Sequence, residues 1–245
     1  MKPGIPRFVV LFLLAIPLGG QDANVITMDQ EPHHHLTLQN DYVKIFKVEV
    51  SPGDSIVLHK HDQDTVAIAI GEQLVTVGIP GKPDVHQKNA DGQVRLQRSG
   101  YMHSTHVDGD SPYHTVAVEL LRPQTNFHNV CAEILSGQPL NCPSPSAKEP
   151  PAFSGQELLA SGETQVLLVK VHAHQAMSPA NFSFASVIVA LDPATVPSGT
   201  TKRPDRKMQP GDFLWMESRH GFTYRNDSDK DARFIEIMFP PAGQS

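Results

Sequence analysis

The sequence predicts an all-β protein built from two similar halves. The chain of 245 residues contains many short runs in which apolar and polar residues alternate and β-branched side chains are frequent. Clusters of Pro, Gly, Ser and Asp separate these runs, and the same order of runs occurs twice. Alternation with a period of two is typical of strands, and many short strands with regular turns are typical of a sandwich or barrel.

The repeat is clearest in two pairs of segments. The run VKIFKV at 43–48 matches VLLVKV at 166–171, and VAVELLRP at 116–123 matches RFIEIMFP at 233–240. In the second pair the glutamate and the proline keep their spacing. Because the order of the elements is repeated as well as their composition, we expect two tandem domains of one kind.

The first twenty residues are typical of a secretory signal peptide, which we place at 1–20. Lys2 and Arg7 precede an apolar core that is too short to cross a bilayer. A buried N-terminal strand is the alternative. We expect export to the periplasm or the extracellular space, and no contact with a membrane once the signal is removed.

The remaining chain divides into three parts. We expect an N-terminal barrel at 25–123, a Pro/Ser-rich linker at 124–152 and a C-terminal barrel at 153–241. The linker holds the two cysteines of the chain, Cys131 and Cys142. In an oxidising compartment such a pair is more often a structural disulfide than a metal site, so we expect a disulfide between them.

Charge narrows the class of partner. The formal net charge is −6, and no cluster of Lys and Arg occurs in the sequence. Nucleic acids and anionic membrane surfaces attract basic patches, so neither is an expected partner. A small molecule is the expected ligand.

The chemistry centres on the segment GDSIVLHKHDQDTVAIAIG at 53–71. His59 and His61 are two residues apart in a strand-like run. Side chains at such positions share one face of a strand, so both imidazoles can reach one metal ion. Asp64 follows after a short turn.

A run of three histidines precedes the first predicted strands, in the tract Pro32–His35. Three consecutive residues cannot share one face of a strand. We therefore expect this tract to be an exposed lead-in, with metal binding as the alternative.

The central segment resembles the first motif of the cupin superfamily, G-x5-H-x-H-x3/4-E-x6-G. Gly53, His59, His61 and Gly71 stand at the motif positions, and Asp64 replaces the glutamate one residue early. The resemblance covers most of the chain as two tandem copies, a bicupin. It implies two double-stranded β-helix barrels of the jelly-roll type.

The second cupin motif, G-x5-P-x-G-x2-H-x3-N, is matched in part. Gly100 and His103 stand in their places, while Arg98 replaces the proline and Val107 the asparagine. By resemblance, the metal ligands of the first barrel are His59, His61, Asp64 and His103. Imidazoles with one carboxylate suit a divalent transition metal such as Fe, Mn, Ni, Cu or Zn and leave room for a water or substrate.

Three further residues are candidates for the lining of the pocket. His106 is the rival of His103, but a separation of three on a regular strand turns it outward. Tyr101 could present its hydroxyl to a ligand or pack the end of the barrel. His114 could line the mouth of the barrel or lie on the surface.

The second half resembles a cupin without ligands. Ala180, Phe182 and Ala185 stand where the first half has His59, His61 and Asp64, and Phe222 takes the place of the second-motif histidine. We expect this half to be a packing partner or an apolar pocket, and the metal to be confined to the first half.

These expectations leave several functions open. A metal-dependent enzyme of small-molecule chemistry, a dioxygenase or an isomerase, is the first hypothesis. A non-catalytic small-molecule-binding protein and a structural bicupin are the alternatives, because one fold hosts all of them. No catalytic group beyond the ligands can be named, and a homodimer formed through sheet edges stays open.

Overall fold

The structure is a computed structural model that describes residues 25–129, 133–134, 153–177, 184–196, 205–218 and 223–241. Within these ranges the regular elements are strands, apart from one 3-10 turn at Met28–Gln30. The prediction of an all-β protein is confirmed. No helix in the described ranges is long and apolar enough to span a membrane. The predicted signal peptide, Cys131 and Cys142 lie outside the described residues.

Ten strands build the first half. They are β1 (Ile26–Thr27), β2 (His34–Gln39), β3 (Val43–Val50), β4 (Ser55–Lys60), β5 (Asp64–Ala69), β6 (Gln73–Gly78), β7 (Val85–Asn89), β8 (Val94–Gln97), β9 (Met102–Val107) and β10 (Tyr113–Leu120). Two short strands follow in the predicted linker, β11 (His128–Asn129) and β12 (Glu133–Ile134). Nine more follow: β13 (Phe153–Ala160), β14 (Gln165–Val171), β15 (Ala176–Met177), β16 (Ala185–Ala190), β17 (Ala194–Val196), β18 (Arg206–Met208), β19 (Phe213–Met216), β20 (Tyr224–Arg225) and β21 (Ala232–Phe239).

The strands form four sheets, two for each half. The first half has a five-stranded sheet in the order β1-β4-β9-β6-β7 and a six-stranded sheet in the order β12-β8-β5-β10-β3-β2. The second half has a six-stranded sheet, β11-β13-β14-β21-β16-β19, and a four-stranded sheet, β15-β20-β17-β18.

The internal repeat appears as the same strand order in both six-stranded sheets. The order β8-β5-β10-β3-β2 in one corresponds to β19-β16-β21-β14-β13 in the other. The glutamates that mark the repeat, Glu119 in β10 and Glu236 in β21, are both buried. The sequence repeat is therefore a repeat of topology.

The two six-stranded sheets pack against each other and share one hydrophobic core. Val116 and Val118 of β10 belong to the same buried cluster as Ile235 and Ile237 of β21. On β10 the alternate residue Ala117 packs inside the first half instead. Each six-stranded sheet thus buries one face between the halves and the other inside its own half, which explains its almost continuous apolar runs.

Ion pairs at the edge of this core join the halves. Lys47 Nζ lies 3.2 Å from an Asp212 carboxylate oxygen, and Arg233 Nη2 lies 2.7 Å from one of Asp91. The short strands β11 and β12 add backbone links, since β11 pairs with β13 and β12 with β8.

Three strands lie in segments without apolar alternation. β7 has the residues VHQKN, which are polar and mostly exposed. β11 and β12 lie where the strand pattern lapses in the sequence. Each of the three pairs with a neighbouring strand through its backbone: β7 with β6, β11 with β13 and β12 with β8.

Candidate metal centre

A bulge in β4 directs His59 into the first barrel. Ile56 pairs with Thr105 and His59 with His103, so β4 has one residue more than β9 between these two pairs. The extra residue resets the alternation, and Ile56 and His59 both become buried although they are three apart. The carbonyl oxygen of Val57, inside the bulge, accepts a hydrogen bond from His59 Nδ1 at 2.9 Å.

His61 and His103 converge on the same point. His61 directly follows β4 and continues the ladder, because its backbone N–H donates to the carbonyl of Tyr101 at 2.9 Å. His103 lies opposite His59 on β9, and its Nε2 is 3.0 Å from His61 Nε2. The donor nitrogens of the three buried residues lie within 4.8 Å of one another. We call His59, His61 and His103 the three-histidine cluster.

Each of the three Nδ1 atoms has a hydrogen-bond partner, and for His59 that partner fixes the tautomer. A carbonyl only accepts, so His59 Nδ1 carries the ring proton and its buried Nε2 is a lone pair with no hydrogen-bond partner. His61 Nδ1 lies 3.1 Å from the Thr65 hydroxyl, which in turn donates to the carbonyl of Gln63 at 3.3 Å. His103 Nδ1 has the Thr105 hydroxyl at 3.3 Å.

This arrangement fits a metal ion. The Nε2 atoms of His61 and His103, 3.0 Å apart, need a proton or a cation between them. The orphaned Nε2 of His59 carries a burial cost. A divalent transition metal satisfies all three nitrogens at once, and imidazole is a ligand that such metals favour.

Burial keeps these imidazoles neutral. Desolvation, with a smaller contribution from the neighbouring His34, lowers the pKa of His59 to about 4. Burial also lowers the pKa of His61 and of His103 well below the ordinary value. Neutral histidines offer lone pairs without competition from protons at neutral pH.

Asp64 does not join the cluster. On β5, Thr65 faces the barrel interior and contacts His61, so the preceding Asp64 points to the other face. Its carboxylate accepts from the backbone N–H of Ser99 at 2.9 Å and lies 3.2 Å from Arg98 Nε. It lines a separate cavity of about 250 Å³. The acid stands one residue early in the motif, and a shift of one residue reverses the face of a strand.

The expectation of an exposed lead-in at 33–35 is corrected for one residue. The side chain of His34 is 5% exposed, and its ring centroid lies 4.8 Å from that of His59. Its Nδ1 is 2.7 Å from a carboxylate oxygen of Glu31, whose side chain is fully buried. His35, in contrast, is exposed on the strand.

Glu31 is a further residue that sequence reasoning missed. Burial acts to raise its pKa, but the hydrogen bonds from His34 and His33 outweigh this and lower the pKa to about 2. The carboxylate is therefore ionised and accepts hydrogen bonds only. Its spacing of three from His34 gave a weak signal, because the direction of both side chains depends on how β2 pairs with β3.

Gln97 is also added to the site by the structure. It pairs with Thr65 across β8 and β5, so its side chain faces the interior, and its amide nitrogen lies 3.4 Å from His103 Nε2. It could not be predicted from the sequence, since an isolated glutamine in a short strand belongs to no motif.

The three residues predicted as candidates for the pocket lining lie in different environments. The ring of Tyr101 stacks on His103 with centroids 4.8 Å apart, so it covers the cluster. His106 faces outward, with its side chain 48% exposed and its Nδ1 2.9 Å from the Ser55 hydroxyl. His114 is half-buried, and its ring packs against Gly211 of the second half.

The second half offers no comparable group in the part that is described. The three-histidine cluster is the one set of three or more metal-ligating side chains found among the described residues. Ala185, which stands where the first half has Asp64, is buried in β16. The other compared positions, Ala180, Phe182 and Phe222, lie outside the described residues.

Comparison by sequence finds no relative, whereas comparison by structure finds many. The chain matches no protein-family model and no curated protein. AerE from Microcystis aeruginosa superposes with a TM-score of 0.58 at 11% identity, covering 86% of this chain and 99% of its own. Salicylate 1,2-dioxygenase from Pseudoaminobacter salicylatoxidans, in adducts with gentisate, gives 0.56 at 12% identity, covering 81% and 68%.

A third structure carries a description of the fold. A cupin 2 conserved barrel domain protein from Leptotrichia buccalis superposes with a TM-score of 0.52 at 7% identity, covering 84% of this chain and 87% of its own. At identities this low the likeness concerns the fold alone.

Proposed function

We propose that this chain, whose fold is that of the cupins, is an exported metalloprotein that acts on a small molecule in the manner of a dioxygenase. One divalent transition metal, from the set Fe, Mn, Ni, Cu and Zn, is held by His59, His61 and His103. The observation that carries the proposal is the convergence of three buried imidazoles, in which the Nε2 atoms of His61 and His103 lie 3.0 Å apart and His59 Nε2 has no partner. Export rests on the composition of residues 1–20.

The three imidazoles have the properties that metal ligands need. Each Nδ1 atom has a hydrogen-bond partner, the carbonyl of Val57 or the hydroxyl of Thr65 or Thr105. Such partners fix the orientation of the ring and the tautomer that presents Nε2. Burial keeps the rings neutral, so binding a metal displaces no tightly held proton at neutral pH.

Other residues shape the access to this point. Tyr101 stacks on His103 and limits the entry of water from that side. Gln97 offers an amide group within 3.4 Å of His103 Nε2, where it can orient a polar ligand. Three neutral protein ligands leave positions for exogenous ligands, and the ion would supply Lewis acidity there and, for iron or manganese, redox chemistry with dioxygen.

The fold comparison and this ligand set together support the hypothesis of a dioxygenase. One structural neighbour is a dioxygenase in adducts with gentisate. A substrate with adjacent oxygen donors would suit the remaining coordination positions. Gentisate and salicylate are therefore the first compounds to test, followed by other small hydroxylated acids.

The test begins with protein purified without a histidine tag. We expect about one equivalent of a transition metal per chain, and consumption of dioxygen with one of the test compounds. The double change His59→Ala and His61→Ala should abolish both while the fold is retained. His106→Ala is the matched control, because His106 lies on the outer face of β9.

The possible outcomes separate the functional classes. Protein without stoichiometric metal would refute the proposal. Metal with tight binding but no turnover would replace it with a non-catalytic binding protein. Turnover without consumption of dioxygen would favour an isomerase.

A further inference from the structure

We propose that His34 is a fourth protein ligand of the metal and that the buried carboxylate of Glu31 orients it. The inference rests on the proposed function, since it concerns the same ion. It assigns a role to a histidine outside both cupin motifs.

The hydrogen bonds of Glu31 fix the tautomer of His34. Four groups donate to this buried carboxylate: His34 Nδ1 at 2.7 Å, His33 Nδ1 at 3.1 Å, the backbone N–H of His33 at 2.8 Å and the backbone N–H of Val57 at 3.4 Å. An ionised carboxylate only accepts, so His34 Nδ1 carries a proton, and Nε2 is the ring nitrogen left to bind a metal. No described residue makes a hydrogen bond to that Nε2.

The register of β2 brings this ring to the cluster. His34 pairs with Val48 of β3, and Val48 belongs to the core inside the first barrel. Residues paired across two strands point to the same face, so His34 faces inward. Its ring contacts His59 at 4.8 Å and Phe46 at 6.1 Å between centroids.

The pairing with a carboxylate is what distinguishes His34 from a packing histidine. Metal-bound histidines commonly donate their second ring nitrogen to a carboxylate, which orients the ring and makes it a stronger ligand. Burying the ionised carboxylate of Glu31 costs free energy. An ion pair with the half-exposed His33 alone could form at the surface and would not require this burial. With Asp64 turned away, His34 completes the ligand set from the side of the N-terminal strand.

The experiment compares variants of neighbouring histidines. His34→Ala and His34→Gln are tested in the full chain, with His35→Ala as the matched control because His35 is the exposed next residue of β2. Affinity for Zn²⁺ is measured by competition with a chelator at fixed pH. The number of metal-bound imidazoles is counted by X-ray absorption of the Zn²⁺ form.

We expect both His34 variants to lose about 10- to 100-fold in affinity, and their spectra to show one imidazole fewer than wild type. His35→Ala should match wild type in both measurements. Glu31→Gln should keep the number of imidazoles and lose affinity, because His34 is retained but poorly oriented. Circular dichroism and thermal unfolding report whether each variant folds.

Failure of this inference differs from failure of the proposed function. If the wild-type protein binds neither Zn²⁺ nor another metal, both the proposed function and the inference on His34 are refuted. If wild type binds metal with only three imidazoles, or if the His34 variants keep wild-type affinity and imidazole count, this inference alone is overturned. The number of imidazoles in the wild-type spectrum tests the inference even if a His34 variant fails to fold.

Discussion

The Nε2 atoms of His61 and His103 face each other at 3.0 Å inside the first barrel, although the residues are 42 apart in the chain. His59 stands directly opposite His103 in the strand register and completes the cluster. The facing Nε2 atoms of His61 and His103 need a proton or a cation between them, and a metal ion would also satisfy the Nε2 of His59, which has no partner. This relationship is the basis of the predictions on metal binding and on pH.

The first prediction contrasts two histidines of β9. His103→Ala should weaken metal binding by at least 10-fold, since it removes one ligand of the cluster, whereas His106→Ala should leave it unchanged. Chelator competition measures both. Equal losses in the two variants would mean that the ion lies elsewhere, and a larger loss for His106→Ala would reverse the assignment.

The second prediction concerns the pH dependence of stability in the metal-free protein. Burial lowers the pKa of His59 to about 4 from the ordinary 6.5, and the pKa values of His61 and His103 move in the same direction. Between those values the unfolded chain binds more protons than the folded chain, so the free energy of unfolding rises with pH. The contribution of His59 is complete above pH 6.5 and is lost as the pH falls towards 4, at most about 3 kcal/mol.

Urea unfolding at a series of pH values measures this slope. The variant His59→Ala should show a smaller slope in this window, and His106→Ala should keep the slope of wild type. A wild-type stability that is flat from pH 4 to 6.5 would contradict the burial of neutral imidazoles.

The third prediction concerns the contact between the halves. A Cβ added to Gly211 would lie 2.5 Å from His114 Cε1, and the residue has φ +83°. At Gly71, with φ +76°, a Cβ would meet nothing within 4 Å. Gly71→Ala should therefore lower the free energy of unfolding by about 1–2 kcal/mol, because of the left-handed backbone alone. Gly211→Ala should lower it by at least about 1 kcal/mol more, because of the clash with His114.

The excess loss at Gly211 has its own control. In the background His114→Ala the clash is removed, so Gly211→Ala should then cost about as much as Gly71→Ala. Chemical unfolding gives the four free energies. The same excess in both backgrounds would show that His114 does not pack against Gly211.

The fourth prediction concerns the glutamate of the second half. Glu236 is buried, and its carboxylate accepts a hydrogen bond from the Tyr224 hydroxyl at 2.9 Å. Burial raises its pKa, against the opposing effect of that hydrogen bond. The folded state then holds the proton to higher pH than the unfolded state, so the free energy of unfolding falls as pH rises through this range.

The variant Glu236→Gln should remove this fall, because the amide oxygen still accepts from Tyr224 and no charge is buried. We expect a higher midpoint of thermal unfolding than wild type at pH 8 and a smaller difference at pH 5. Glu72→Gln, on the surface, should show neither effect. A lower midpoint for Glu236→Gln at both pH values would refute the account.

Local patterns carried much of the fold and part of the site. The alternation in 43–48 and 116–123, and its recurrence at 166–171 and 233–240, predicted the strands that became β3, β10, β14 and β21. This succeeds because burial on one face imposes a period of two on any such strand. The pairing of His59 with His61 follows from the same periodicity.

Long-range pairing decided the rest. Asp64 and Thr65 are adjacent in sequence, and only the register of β5 determines that the threonine faces the cluster. The bulge that turns His59 inward arises from the pairing of β4 with β9. A shift of one residue exchanges the two faces of a strand, so no local pattern contains this information.

An all-β chain with a repeated strand order and three histidines suited to a metal was predictable from local residue patterns. The separate position of Asp64, the approach of His34 and Glu31 to the cluster, and the place of His114 between the halves depend on contacts between distant parts of the chain. Alternation could be recognised in the sequence because it is a local consequence of burial. Which strands pair, and in which register, depends on the packing of the whole chain.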